Sequence, residues 1–134
     1  MLKRFKETLI CQNGFAMLEV AIACALLAIL GSIAAPKFFS SLTTANTVKV
    51  QSDLRTLDTG IVLYITEKGA NPNNISELSD YVMDVNNLKP PKGKECKLKD
   101  GTTVTITSAD YKIENKDGEY RATCDGKTAG EFGN

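Results

Sequence analysis

The chain has 134 residues, 43% of them hydrophobic, with 16 basic and 16 acidic side chains and a formal net charge of zero. That length is one domain's worth of protein, and the neutral charge without a long basic block argues against a dedicated nucleic-acid binder. The absence of histidine removes the commonest general base and the commonest transition-metal ligand. The apolar residues crowd into one run near the N-terminus, while the second half is polar and turn-rich. The globular part is therefore small, with a modest core.

The first element is a membrane span. Phe15 to Ala35 reads FAMLEVAIACALLAILGSIAA, about 21 residues with one charge, and a bilayer core takes about 20 residues of helix. Lys3, Arg4 and Lys6 precede it, against the single acid Glu7. Basic flanks stay cytoplasmic, which predicts the N-terminus inside and Lys37 onward outside.

A secretory signal peptide cut near Ala34-Ala35, a lipoprotein signal ending at Cys24, and a plain single-pass anchor are competing readings of this run. None of them explains Glu19. An acid at the centre of a span costs about 2.5–3.5 kcal/mol on insertion scales, and an intramembrane acid is by default a functional residue. The bland alternative is that Glu19 snorkels to the cytoplasmic headgroups.

Past the span the pattern stays helical. Leu54, Leu57, Ile61 and Tyr64 recur at spacings of three and four, with Val50 one step earlier, while Ser52, Asp53, Arg55, Thr56, Asp58 and Thr59 fill the other faces. Gly69 suits the C-cap, and Pro72 cannot continue the helix. Pro36 removes the N–H that would bond the Ser32 carbonyl. Gly31 costs about 1 kcal/mol relative to alanine. The Gly31–Pro36 stretch is thus the weak point of a long helix.

Beyond it, Ile75 to Val82 reads as a short helix capped by Asn74, with Ile75, Leu78, Tyr81 and Val82 on one face. Residues 86–94, holding Pro90, Pro91 and Gly93, are a loop. Strand signals follow. Glu95 to Lys99 is a first short strand, Thr102 to Thr107 a second, and two more hold Tyr111 with Ile113 and Tyr120 with Ala122 and Cys124. Asp100-Gly101 and Asp117-Gly118 are hairpin turns. Three or four antiparallel strands, one face on the helical stripe, are expected, with Gly126 to Asn134 a loose tail. The fold class is α+β: a long N-terminal helix packed against a small C-terminal antiparallel sheet.

The sequence from Gly14 resembles a known signature. Gly14-Phe15, with Glu19 four residues further on, follows a short basic leader and opens an apolar run. This is similar to the processing site of type IV pilins and type II secretion pseudopilins, and Pro36 falls where that family commonly has a helix-distorting proline. The resemblance covers roughly Lys3 to Gly69, about half the chain, and marks the fold as type IV pilin-like. Ala16 and Met17 depart from the threonine and leucine common at those positions.

The resemblance implies that a prepilin peptidase cuts after Gly14 and methylates the new amine of Phe15. Residues 1–14 are then a removed leader, 15–35 the transmembrane and filament-core helix, 36–69 an amphipathic continuation and 70–134 the head. Removing Lys3, Arg4, Lys6 and Glu7 from 16 bases and 16 acids leaves 13 bases against 15 acids.

It further implies a structural subunit in a filament, not an enzyme, with Glu19 as its registration charge. The expected location is the cytoplasmic membrane and then a cell-surface or periplasmic filament. The partners are other copies, related minor pilins, the peptidase and an inner-membrane assembly platform, with DNA only where the filament is a DNA-uptake pilus.

In this topology Cys96 and Cys124 lie outside the membrane, where disulfides persist, on in-facing positions of terminal strands. A bridge would close a loop of about 29 residues, about 3.6 kcal/mol on the chain-entropy account. Two free buried thiols are the rival reading. Asp117, Glu119 and Asp125 lack EF-hand spacing and read as turn and surface residues. No cofactor or metal is expected, nor any catalytic residue: there is no nucleophile–base pair and no Gly-rich phosphate loop. The reading from a different class is an uncleaved, membrane-anchored extracytoplasmic binding module.

Overall fold

The computed structural model describes the backbone of residues 2–133 and the side chains of residues 14–133. Helix α1 runs from Leu2 to Lys68. By contacts the chain divides into two compact units, Met1–Ser40 and Ser41–Asn134.

In the first unit every side chain from 14 to 40 is exposed, and the helix is assigned without interruption through Pro36. The helix is long and apolar enough to cross a membrane. An α-helix apolar on all faces and covered by nothing of its own chain belongs in lipid or against other helices.

The second unit is built on the predicted stripe. Val50, Leu54, Leu57 and Ile61 are all at most 1% exposed, and Tyr64 packs at the edge of the same cluster. The helix ends as the sequence suggests: Gly69 has φ +65°, and its N–H donates to the Ile65 carbonyl at 2.8 Å. The following segment then turns back on α1. Its close approach is made at Gly60, where an added Cβ would lie 2.5 Å from Val82 Cγ2.

Gly60→Ala therefore sets a helix-propensity gain of up to about 1 kcal/mol against overpacking of typically about 1–3 kcal/mol. The net expectation is a destabilised head, read as a lower denaturation midpoint of the full chain in detergent. An unchanged or raised midpoint would show that Val82 yields freely.

Three expectations are corrected here. The short helix predicted from Ile75 to Val82 forms as a 3-10 helix, Ile75–Asp80, but Asn74 makes no side-chain cap. Instead the Glu77 carboxylate accepts the Asn73 N–H at 3.2 Å. So short a segment, with only Leu78 and Val82 deeply buried, fits the tighter helix used in short pieces.

The strands do not join into one sheet. β1 (Glu95–Lys97) pairs antiparallel with β2 (Thr103–Thr105), Cys96 opposite Val104. β3 (Lys112–Lys116) pairs antiparallel with β4 (Glu119–Thr123), Ile113 opposite Ala122. The Asp125 carboxylate accepts the backbone N–H of Thr107 at 2.7 Å and of Ser108 at 2.9 Å, and both their hydroxyls donate to it as well. These bonds tie the chain just after β2 to the chain just after β4. Both predicted hairpin turns form, with Asp117 and Gly118 at φ +54° and +90° and Gly101 at +88°.

The C-terminal tail is not loose. Phe132 is buried, bridges to Leu98, and follows a 3-10 turn, Ala129–Glu131, closed by a capping box between Thr128 and Glu131. Gln51 on α1 donates to the Phe132 carbonyl at 3.0 Å. A single aromatic among glycines and polar residues is a weak sequence signal, yet it supplies one of the largest buried side chains.

Candidate assembly and processing site

Gly14, Phe15 and Glu19 all lie on α1 with exposed side-chain positions, and Phe15 is 73% exposed. A Cβ built on Gly14 would meet nothing within 4 Å, and its φ is not in the left-handed range. Mid-helix glycine costs about 1 kcal/mol relative to alanine, so among the described residues nothing about the fold explains it. Glu19 stands on a surface otherwise formed by Phe15, Met17, Leu18, Val20 and Ile22, all more than half exposed.

Gly31 likewise has open space around it. The Ser32 hydroxyl donates to the Ile29 carbonyl at 2.7 Å, a back-bond that competes with the helix ladder one turn before Pro36. The stretch is helical, but it concentrates a glycine, a back-bonded serine and a proline.

Cys96 and Cys124 are both fully buried in the second unit. Each stands as a thiol, as does the exposed Cys24, so the bridge stays a prediction. Burial pushes the Cys96 thiol up, against a hydrogen bond with Thr47. Burial, then Asp125 and Cys96 itself, push Cys124 up to about 12. Both belong to the same core cluster. Burial of both thiols limits access to them in the folded head.

The expected result for protein taken from the extracytoplasmic side is a Cys96–Cys124 peptide in non-reducing mapping. The double Cys→Ser chain should be less stable by about 2–4 kcal/mol. Two thiols that alkylate after denaturation without reductant would show that no bridge forms.

Two carboxylates on α1 that the spacing assigned to outer faces instead hold the head. Asp53 Oδ2 accepts the Tyr111 hydroxyl at 2.8 Å and pairs with Lys49 Nζ at 2.6 Å. Burial, then Asp53, raise the Tyr111 pKa. Asp58 accepts the Ala122 N–H at 2.8 Å through Oδ1 and pairs with Arg121 at 3.1 Å through Oδ2. Lys97 N–H donates to Thr47 Oγ1 at 2.7 Å. These tie β1 and β4 to the flanks of the apolar stripe. Amphipathic spacing alone cannot separate a flanking carboxylate that caps a strand from one in water.

An open groove of about 610 Å³ lies between Asp58–Ile65 and Gly118–Arg121, and its oppositely charged groups Asp58 and Arg121 are spent on each other. Glu119 leans on Arg121 and Asp117 forms the hairpin turn, while Asp125 is held by Thr107 and Ser108. These hydrogen bonds outweigh the opposing effect of burial and lower the Asp125 pKa. Among the described residues no group of three metal-binding side chains forms. Comparison with protein-family models, curated proteins and solved structures gives no match.

Proposed function

We propose that this chain is the precursor of a type IV pilin-like subunit, cut after Gly14 and polymerised through its N-terminal helix. The observation that carries the reading is the first unit: an apolar helix exposed on all sides, entered by a glycine that its own packing does not need. In the membrane, lipid covers that surface. In a filament, the helices of other copies replace the lipid, and van der Waals packing and polar contacts drive the association.

The head of the second unit carries its own core and decorates the filament. Glu19 and the methylated amine of Phe15 set the stagger between copies. The peptidase, an inner-membrane platform and minor subunits are the partners of this cycle.

The test is a map of filaments sheared from cells that express the full chain. It should show the 15–35 helices at the centre and heads outside. Part of residues 28–36 should be unwound, because Pro36 has already broken the ladder and packed helices can shelter the freed backbone groups. Continuous α-helix through that stretch would refute the unwinding. Chains found only as full-length membrane anchors would refute the subunit reading.

A further inference from the structure

The chain leaves α1 at Gly69 and crosses a short surface loop to the 3-10 helix Ile75–Asp80. Pro72 is buried and anchors the loop, while Asn73 and Asn74 stand exposed beyond it. Asn74 has extended backbone, φ −133° and ψ 151°, at the position from which an asparagine usually caps a helix. It makes no such bond. Glu77 closes the turn instead: its carboxylate accepts the Asn73 N–H, and its own N–H donates to the Asn74 carbonyl, both at 3.2 Å. The Asn74 amide is thus left over from the capping that would account for it.

Two residues on stands Ser76. Ile75 between them packs against the core, while Asn74 and Ser76 are both exposed. Among the described residues, neither side chain is hydrogen-bonded to its own chain. Of the asparagines in the sequence, only Asn74 has a serine or threonine two residues later, and the residue between is not proline. Asparagine, any residue but proline, then serine or threonine is the acceptor pattern for N-linked glycans, and it carries meaning on an exposed loop outside the cell membrane.

The surroundings leave room for a sugar. An open groove of about 230 Å³ is lined by Asn74 and Ser76, by the apolar Val85 and Leu88, and by Lys89 and Asp110, which pair with each other. A sugar ring has a face of C–H groups and a polar rim, and this groove offers contacts of both kinds.

We propose that Asn74 is an N-glycosylation site, receiving a glycan from a polyprenyl phosphate-linked donor on the outer side of the membrane. Asn74 Nδ2 loses one proton and forms a bond to the anomeric carbon of the first sugar. The bond from that carbon to the phosphate oxygen breaks, and the polyprenyl phosphate leaves with the electron pair. The Ser76 hydroxyl is the group by which a transferase tells this asparagine from the others. Exposure of both side chains keeps the acceptor open in the folded head as well as during folding. The proposal rests on the outward placement of the head, and neither cleavage after Gly14 nor assembly enters it.

The test is mass spectrometry, with fragmentation, of the tryptic peptide containing Asn74 from the full chain made in the cells where it occurs. The peptide should be heavier by whole sugar units, with the added mass on Asn74. Asn74→Gln and Ser76→Ala should each lose that mass entirely, and Ser76→Thr should keep it. Both positions are exposed, so the denaturation midpoints of the variants should match that of unglycosylated wild-type chain.

A bare Asn74 in mature chain from filaments would overturn the site and leave the filament standing. Sugar that persists in Asn74→Gln and maps to Ser76 would show an O-linked glycan and overturn it as well. A glycan on Asn74 of a chain that still carries its leader would uphold the site while overturning the subunit reading.

Discussion

Replacing Gly14 with valine is expected to leave full-length precursor in the membrane and no filament. The chain itself offers no objection to the substitution, because nothing described lies within 4 Å of where the new Cβ would stand. Folding, insertion and the head should therefore be unchanged, and the span from Phe15 is untouched. On the proposed reading the loss arises at the peptidase, which would select a residue without a side chain. A steric pocket discriminates by about a hundredfold for small changes in size, and an isopropyl group is not small, so mature protein should fall by at least about that factor. The measurement is the ratio of precursor to mature chain by gel shift or mass. Normal maturation of the valine chain would move the cut elsewhere and remove the account's explanation of Gly14.

The second large effect is expected at Glu19. In an assembled filament packed helices surround this carboxylate, and an unpaired buried charge needs a cation. On the proposed reading cleavage would create one at the right depth, the amine of Phe15, which methylation would leave charged. Within one chain the two positions are about 6 Å apart along the axis. A neighbouring copy displaced by about that distance, extended by side-chain reach, brings its amine to this Glu19. Removing one partner of such a buried pair costs about 2–5 kcal/mol, largely because the other charge is left stranded.

Glu19→Ala should be cleaved and inserted normally yet assemble poorly. Glu19→Gln, which keeps the shape and loses the charge, should fall nearer alanine than wild type. Wild-type filament yield from both variants, with processing confirmed, would show that the pairing does not set the register.

What the sequence made legible follows from the range of the signals. The stripe of Val50, Leu54, Leu57 and Ile61 is a local repeat and is buried as its spacing predicts. The Gly69 cap and the Asp117-Gly118 turn rest on φ preferences of single residues and also form as expected. The missed contacts that reshape the head are long-range. Asp125 reaches back to Thr107 and Ser108, and the strands form two separate pairs. Phe132 closes over Leu98 and converts an expected tail into core.

Gly60 carried a readable signal, an isolated glycine inside a helical pattern, which marks a close approach. Asp53 and Asp58 carried none, since amphipathic spacing cannot tell a strand-capping carboxylate from a solvated one. The candidate site residues fall on one contiguous stretch of helix, as their spacing predicts. Their meaning lies in molecules outside the chain.

The most direct test of the whole account is the mass of the N-terminal peptide of the protein as it accumulates in cells with an intact prepilin peptidase. The account predicts a chain that begins at Phe15 and carries one methyl group on its amine, with residues 1–14 gone. A chain that still begins with its leader, or one cut beyond Ala34 so that Glu19 is lost, would contradict it.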